Sequence, residues 1–213
     1  MIEVDVWADV RCPWCWIGMR RLRRASALAD QPVRVRRRSF LLEPEGPFSP
    51  GRSTAIVATN EWGLSPSQWV AKSTLIREAG SAEGLNVHAD EALMFDSRPL
   101  HRLLKLAGES MKDDQLYEAW DDAFRSHFER VENLGDLAVL RGLASRWGLP
   151  HEEVERTLTG SRFETDVAND IAEARRLSFS SVPTVITKTG GRVSGSASVD
   201  ELSRFLSESA VVK

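Results

Sequence analysis

The chain has two cysteines, Cys12 and Cys15, and they stand three residues apart. On a helix that spacing puts both thiols on one face, about one turn from each other. One thiolate can then attack a disulfide, and the other can resolve the mixed disulfide that forms. Pro13 suits the first turn of a helix, where its missing N–H costs nothing. Cys12 is therefore expected at a helix mouth, where unpaired N–H groups and the positive end of the helix dipole stabilise a thiolate. Arg11 adds a positive charge beside it.

Two other uses of the pair fit less well. A zinc half-site needs two further ligands, and His88, His101, His127 and His151 include no pair at a recognised ligand spacing. No metal is expected. Burial as two small core residues is disfavoured by their placement at a helix start. Asp9, three residues before Cys12, is a candidate proton acceptor for Cys15 if the fold buries it; a loop or capping aspartate is the competing role. Trp14 and Trp16 lie close enough to the cysteines to form an apolar substrate wall. The arginines at 20, 21, 23 and 24 and at 34, 36, 37 and 38 suit an anionic partner or, equally, a solvated surface.

The elements that must position these residues follow from apolar periodicity. Ile2, Val4 and Val6 alternate with polar neighbours and mark a strand. A helix is expected from about Pro13 to Ala29, ended by Asp30-Gln31-Pro32. Val33, Val35 and Phe40-Leu41-Leu42 mark a second strand, so that residues 1–42 form a β-α-β unit. From Glu43 a Pro- and Gly-rich loop leads into a helical stretch, about 54–160. Within it Ser65-Pro66, Ser97 and Asp136 are the expected helix starts. Beyond Gly160 a helix, the strand Thr184–Thr187, a turn, a strand at 192–194 and a final helix opened by the capping box Ser198 to Glu201 complete the order.

Taken together these residues resemble the DsbA-like thioredoxin superfamily, in particular its cytosolic FrnE-type branch. The resemblance is carried by Asp9-Val10-Arg11-Cys12-Pro13-Trp14-Cys15-Trp16-Ile17-Gly18, by Val182-Pro183-Thr184, and by Asp96-Ser97-Arg98-Pro99-Leu100-His101-Arg102-Leu103, which looks like an Asn-Thr-x-x-Ala-His-Arg-Leu segment. Asp96 and Leu100 depart from that pattern, and Ser180-Ser181 stands where a glycine is usual. Pro13-Trp14 also lacks the histidine that strongly oxidising relatives place between their cysteines. The resemblance implies an α/β thioredoxin-like fold split by an all-helical insertion: residues 1–45 and 160–213 against residues 46–159. It implies a cis Pro183 facing the cysteines, a Val182 backbone that pairs with an extended substrate like an added strand, and His101 lining the cleft.

The expected activity is dithiol–disulfide exchange, with Cys12 as nucleophile and Cys15 resolving. The partners would be a protein or small molecule bearing thiols or a disulfide. No cofactor is required, although glutathione is a candidate ligand and resetting thiol. A glutathione-dependent transferase or isomerase of the kappa type is the alternative, although its relatives put serine at the first cysteine position. A non-catalytic binding or chaperone module using the same groove is a third reading. At 213 residues, 42% hydrophobic, 28% charged and with a net charge of −3, the composition is that of a globular protein with no bias toward nucleic acid or membrane. The acidic, alternating N-terminus has no signal-peptide pattern, so a cytoplasmic location is expected, with a homodimer admitted.

Overall fold

The computed structural model describes the backbone of residues 1–211 and the side chains of residues 1–209. A four-stranded mixed sheet is built from β1 (Ile2–Ala8), β2 (Val33–Ser39), β3 (Thr184–Thr187) and β4 (Arg192–Ser194), in the order β2-β1-β3-β4. β1 and β2 are parallel, and β3 runs antiparallel to both β1 and β4. The parallel pair requires a crossover, which α1 (Pro13–Ala27) supplies.

The alternation in β1 decides what covers each face. Ile2, Val4 and Val6 turn to one side and are buried there with Leu22 and Ala25 of α1 and with Leu202 and Leu206 of α9 (Val199–Val211). Trp7 turns to the other side. Its indole Nε1 donates to the Asp170 carbonyl of α8 (Glu164–Arg176) at 2.9 Å, and its ring meets Phe179 edge-on at 5.2 Å. The Asp170 carboxylate then accepts from the Ser39 N–H at 2.7 Å, from Arg38 at 3.0 Å and from Lys105, fixing α8 to the end of β2.

Between β2 and α8 lie six helices: α2 (Thr54–Asn60), α3 (Pro66–Ser81), α4 (Arg98–Ser110), α5 (Asp113–Phe128), α6 (Leu137–Arg146) and α7 (His151–Thr159). Together with the sheet they make a thioredoxin-like fold with a helical insertion. Leu100, Leu103, Phe124, Leu140 and Leu143 of these helices share one continuous apolar core with Cys15, Trp16 and Ile17 of α1. Each such burial stabilises by about 1.5–3 kcal/mol, so the insertion helps to hold the helix that bears the cysteines. Among the described residues no helix is long and apolar enough to cross a membrane.

Three local expectations change. β2 ends at Ser39; the Phe40 N–H still donates to the Ala8 carbonyl at 3.0 Å, and the Leu42 N–H turns to the Asp9 carboxylate at 2.8 Å. Ser97 does not cap α4; its backbone is already helical, and Asp96 accepts from the Arg98 N–H at 3.1 Å instead. The arginines at 20, 21, 23 and 24 are engaged by Asp121, Glu83 and Glu118, all within 2.9 Å, so they tie α1 to its neighbours. Elsewhere the expected caps form. Asp136 accepts from the Ala138 N–H at 2.8 Å, and Ser198 and Glu201 exchange hydrogen bonds of 3.2 and 2.7 Å.

Candidate active site

Cys12 occupies the position just before the first turn of α1, with an extended backbone (φ −98°, ψ 110°) and Pro13 following it into the helix. Its thiol points at the Val182 carbonyl, 3.7 Å from Sγ to oxygen. Cys15 lies one turn along and is fully buried, its N–H donating to the Cys12 carbonyl at 3.0 Å. Both thiols are free. Cys12 retains 7% exposure, which gives the pair an outer and an inner member. Burial pushes the Cys15 thiol well up, and its hydrogen bond with Cys12 and the nearby Asp9 charge add to the effect. Cys15 therefore needs help to lose its proton.

The Val182–Pro183 peptide bond is cis. The Pro183 carbonyl is used internally, accepting from the Gly195 N–H at 2.8 Å. Gly18 holds this loop against α1: a Cβ built there would stand 2.7 Å from Pro183 Cγ. The sequence shows a glycine in the motif but not what it touches. Gly18→Ala should push Pro183 and the Val182 carbonyl away from Cys12, at a cost of about 1–3 kcal/mol in stability and with slower exchange. Chemical denaturation and an insulin-reduction assay would measure the two effects, and unchanged values in both would show that the contact is not needed.

Beneath the cysteines Asp9 is fully buried. Its Oδ1 accepts from the Arg11 N–H at 3.2 Å and stands 3.4 Å from His101 Nε2, while Oδ2 accepts from Leu42. Burial alone would raise this carboxyl. The His101 hydrogen bond and charge, the Leu42 N–H and the Arg11 guanidinium outweigh it and hold Asp9 below the usual carboxylate range.

Two expected cleft residues lie elsewhere. His101 is fully buried, with its ring edge-on to Trp120 at 5.6 Å, so it backs Asp9 from α4 and lines no cleft. Trp16 is buried as well. Its Nε1 donates to Asp121 at 2.8 Å, and its ring stacks on Phe124 and Phe128 at 6.3 and 6.2 Å, making it part of the core and not a substrate wall. Trp14 remains half-buried beside the cysteines. Arg11 turns its guanidinium to Glu43 at 2.7 Å and to Met94 Sδ at 3.4 Å.

Arg11, Glu43, Met94, Trp62 and His127 line a cavity of about 330 Å³. His127 is buried and its Nδ1 has no partner among the described residues. Burial, with the Arg11 charge, lowers its pKa from 6.5 to about 3. The unfolded chain binds a proton at His127 below about pH 6.5, and the folded chain does so only near pH 3. Stability from this group is thus full above pH 6.5 and falls as the pH drops toward 3, by an amount on the order of a few kcal/mol. His127→Phe should flatten that acid limb; an unfolding profile as steep as before would place the sensitivity elsewhere. Among the described residues no group of three or more His, Cys, Asp or Glu side chains is placed to hold a metal ion.

The model of the DSBA-like thioredoxin domain family matches residues 3–207. Among solved structures, a probable DsbA oxidoreductase from Streptomyces coelicolor superposes with a TM-score of 0.92 at 28% identity, over 100% of this chain and 92% of that one. The cytosolic disulfide reductase DsbM from Pseudomonas aeruginosa, in a structure with glutathione, gives a TM-score of 0.64 at 16% identity over 98% and 94%. A 2-hydroxychromene-2-carboxylate isomerase gives 0.64 at 18% over 98% and 94%. These last two likenesses are of fold. No curated protein sequence matches the chain.

Proposed function

This chain belongs to the DSBA-like thioredoxin domain family, and on that premise we propose that it is a thiol–disulfide oxidoreductase working through Cys12 and Cys15. The observation that carries the proposal is the Cys12 thiol at the mouth of α1, facing the Val182 carbonyl at 3.7 Å with the buried Cys15 one turn below. The Cys12 thiolate attacks one sulfur of a substrate disulfide. A Cys12–substrate bond forms, the substrate S–S bond breaks, and the leaving sulfur takes a proton. Cys15 then gives its proton toward Asp9 and attacks the Cys12 sulfur. The Cys12–Cys15 disulfide forms and the second substrate thiol leaves. The substrate gains two electrons and the protein loses them; the reverse sequence delivers a disulfide. Pro183, the Val182 backbone and Trp14 form the surface on which the substrate lies.

In this reading the substrate is a protein or small molecule bearing thiols or a disulfide, the setting is cytoplasmic, and glutathione or a thioredoxin-type dithiol resets the pair. No bound metal or organic group takes part. A Cys15→Ser variant should stop at the mixed disulfide, and mass spectrometry of that variant after exposure to oxidised glutathione should find one glutathione on Cys12. Absence of the adduct would sink the proposal.

A glutathione-dependent isomerase or transferase is the second reading, favoured by the fold shared with 2-hydroxychromene-2-carboxylate isomerase. It needs the groove but not Cys15. Full turnover in Cys15→Ser with reduced glutathione would support it over dithiol exchange.

A further inference from the structure

His101 stands where a histidine costs stability. Its side chain is fully closed to solvent on α4, edge-on to Trp120, and its Nδ1 has no hydrogen-bond partner among the described residues. A buried polar atom left without a partner is destabilising, and a phenylalanine would fill the same place without that cost. The one hydrogen-bonding contact of the ring among the described residues is at Nε2, which stands 3.4 Å from Asp9 Oδ1. A carboxylate oxygen only accepts, so Nε2 carries the proton of this contact and donates it.

Asp9 is fully buried as well, and three N–H groups reach its carboxylate. Two belong to the main chain: Arg11 at 3.2 Å on Oδ1 and Leu42 at 2.8 Å on Oδ2. The fold fixes these two whatever side chains stand there. His101 supplies the third, the only side-chain donor to Asp9 among the described residues. The other titratable groups around Asp9 are the Arg11 guanidinium, Cys12 and Cys15 at the start of α1, and His127 of α5, whose pKa of about 3 leaves it neutral near pH 7. A buried carboxylate stays ionised only while enough donors and positive charge face it. Without His101, burial would be opposed by Leu42 and Arg11 alone.

We propose that His101 is a positioning residue for the resolving step, holding the Asp9 carboxylate ready for the Cys15 proton through the contact of Nε2–H with Oδ1. The inference rests on the dithiol reading given above. In that step the Cys15 sulfur bonds to the Cys12 sulfur and the Cys12–substrate bond breaks. The substrate sulfur leaves with the electron pair, and the Cys15 proton goes to Asp9. His101 gains and loses no proton; it acts through Asp9. In its absence the Asp9 carboxyl would keep its own proton to a higher pH, and a carboxyl already protonated cannot accept another.

His101→Phe, which keeps an aromatic ring and removes its nitrogens, tests this. Mixing the reduced full chain with oxidised glutathione, then acid quench and mass spectrometry, follows the rise and decay of the Cys12 adduct from mildly acidic to mildly alkaline pH. The variant should resolve the adduct about tenfold more slowly than the parent at neutral pH, and the deficit should close as the pH rises. His101→Gln, whose amide can donate from a similar place, should resolve at close to the parent rate. In an Asp9→Asn background, where no carboxylate is left to hold, His101→Phe should change the rate by no more than about twofold. A parent-like rate in His101→Phe, a deficit equal at every pH, a loss as large in His101→Gln, or the same loss in the Asp9→Asn background would each overturn the role. If His101→Phe does not fold, nitrogen NMR of the parent chain decides: a protonated Nε2 on His101 supports the donor role, and a proton-free Nε2 overturns it. Failure of the Cys12 adduct to form in the parent would instead sink the dithiol reading itself.

Discussion

A Cys12→Ser variant is expected to lose thiol–disulfide exchange by about a thousandfold or more, while its thermal unfolding stays within a few degrees of the parent. Serine keeps the volume of the position, so the packing of α1 is preserved. Its hydroxyl, however, remains protonated at neutral pH and has no adjacent base. Cys15 cannot replace Cys12, because it is fully buried and burial pushes its thiol well up. Insulin reduction with dithiothreitol as the electron source, run beside a melting curve, reads both effects at once. Full activity in Cys12→Ser would point to a groove that binds without chemistry, and the exchange reaction would have to be abandoned.

The second large effect concerns the inner thiol. Asp9→Asn should leave the first attack by Cys12 nearly unchanged and slow the resolving step by about a hundredfold at neutral pH, within the usual range for a positioned proton acceptor. The Asp9 carboxyl is held low by His101, Leu42 and Arg11 while the Cys15 thiol is pushed up, so complete transfer of the proton is uphill. The transfer becomes favourable only as the Cys15 sulfur commits to attack, which is the condition for general base catalysis. The variant should therefore accumulate mixed disulfide, and raising the pH should restore the resolving rate. Rapid acid quench and mass spectrometry would follow the two steps separately. An unchanged resolving rate would reduce Asp9 to a structural anchor. Its folded-state value is depressed, so the stability Asp9 contributes is present above the ordinary carboxyl range and is lost as the pH falls through its lowered value. That window lies below most of the range in which His127 acts, and the two variants can be told apart by their acid profiles.

Much of this arrangement was legible from short-range pattern. The Ile2, Val4, Val6 alternation, Pro13 after Cys12 and the Ser198–Glu201 capping box are local signals, and each produced the expected element. The Cys12–Cys15 pair is local too, since its geometry follows from one turn of helix. What sequence did not reveal is what lies across the fold. Trp14 and Trp16 look alike as neighbours of the cysteines, yet α5 covers only the side of α1 on which Trp16 lies, where Asp121 takes its N–H. His101 is 92 residues from Asp9, and only the approach of α4 to the turn that follows β1 makes them partners. The Leu42 contact was hidden for the same reason, because the acceptor of its N–H is an aspartate 33 residues earlier. The Gly18 contact with Pro183 likewise needs both halves of the fold in place.

Cys12 and Cys15 are expected to form a reversible disulfide. Equilibrating the purified protein in glutathione buffers of graded ratio, followed by thiol trapping and mass spectrometry, measures it directly. An intramolecular Cys12–Cys15 disulfide should appear and vanish along a two-electron curve. A midpoint near about −270 mV would assign a reductase, and one between about −180 and −120 mV an isomerase or oxidant. If both thiols stay free, or only glutathione adducts form across the whole range, the pair is not a redox couple and dithiol–disulfide exchange at this site is ruled out.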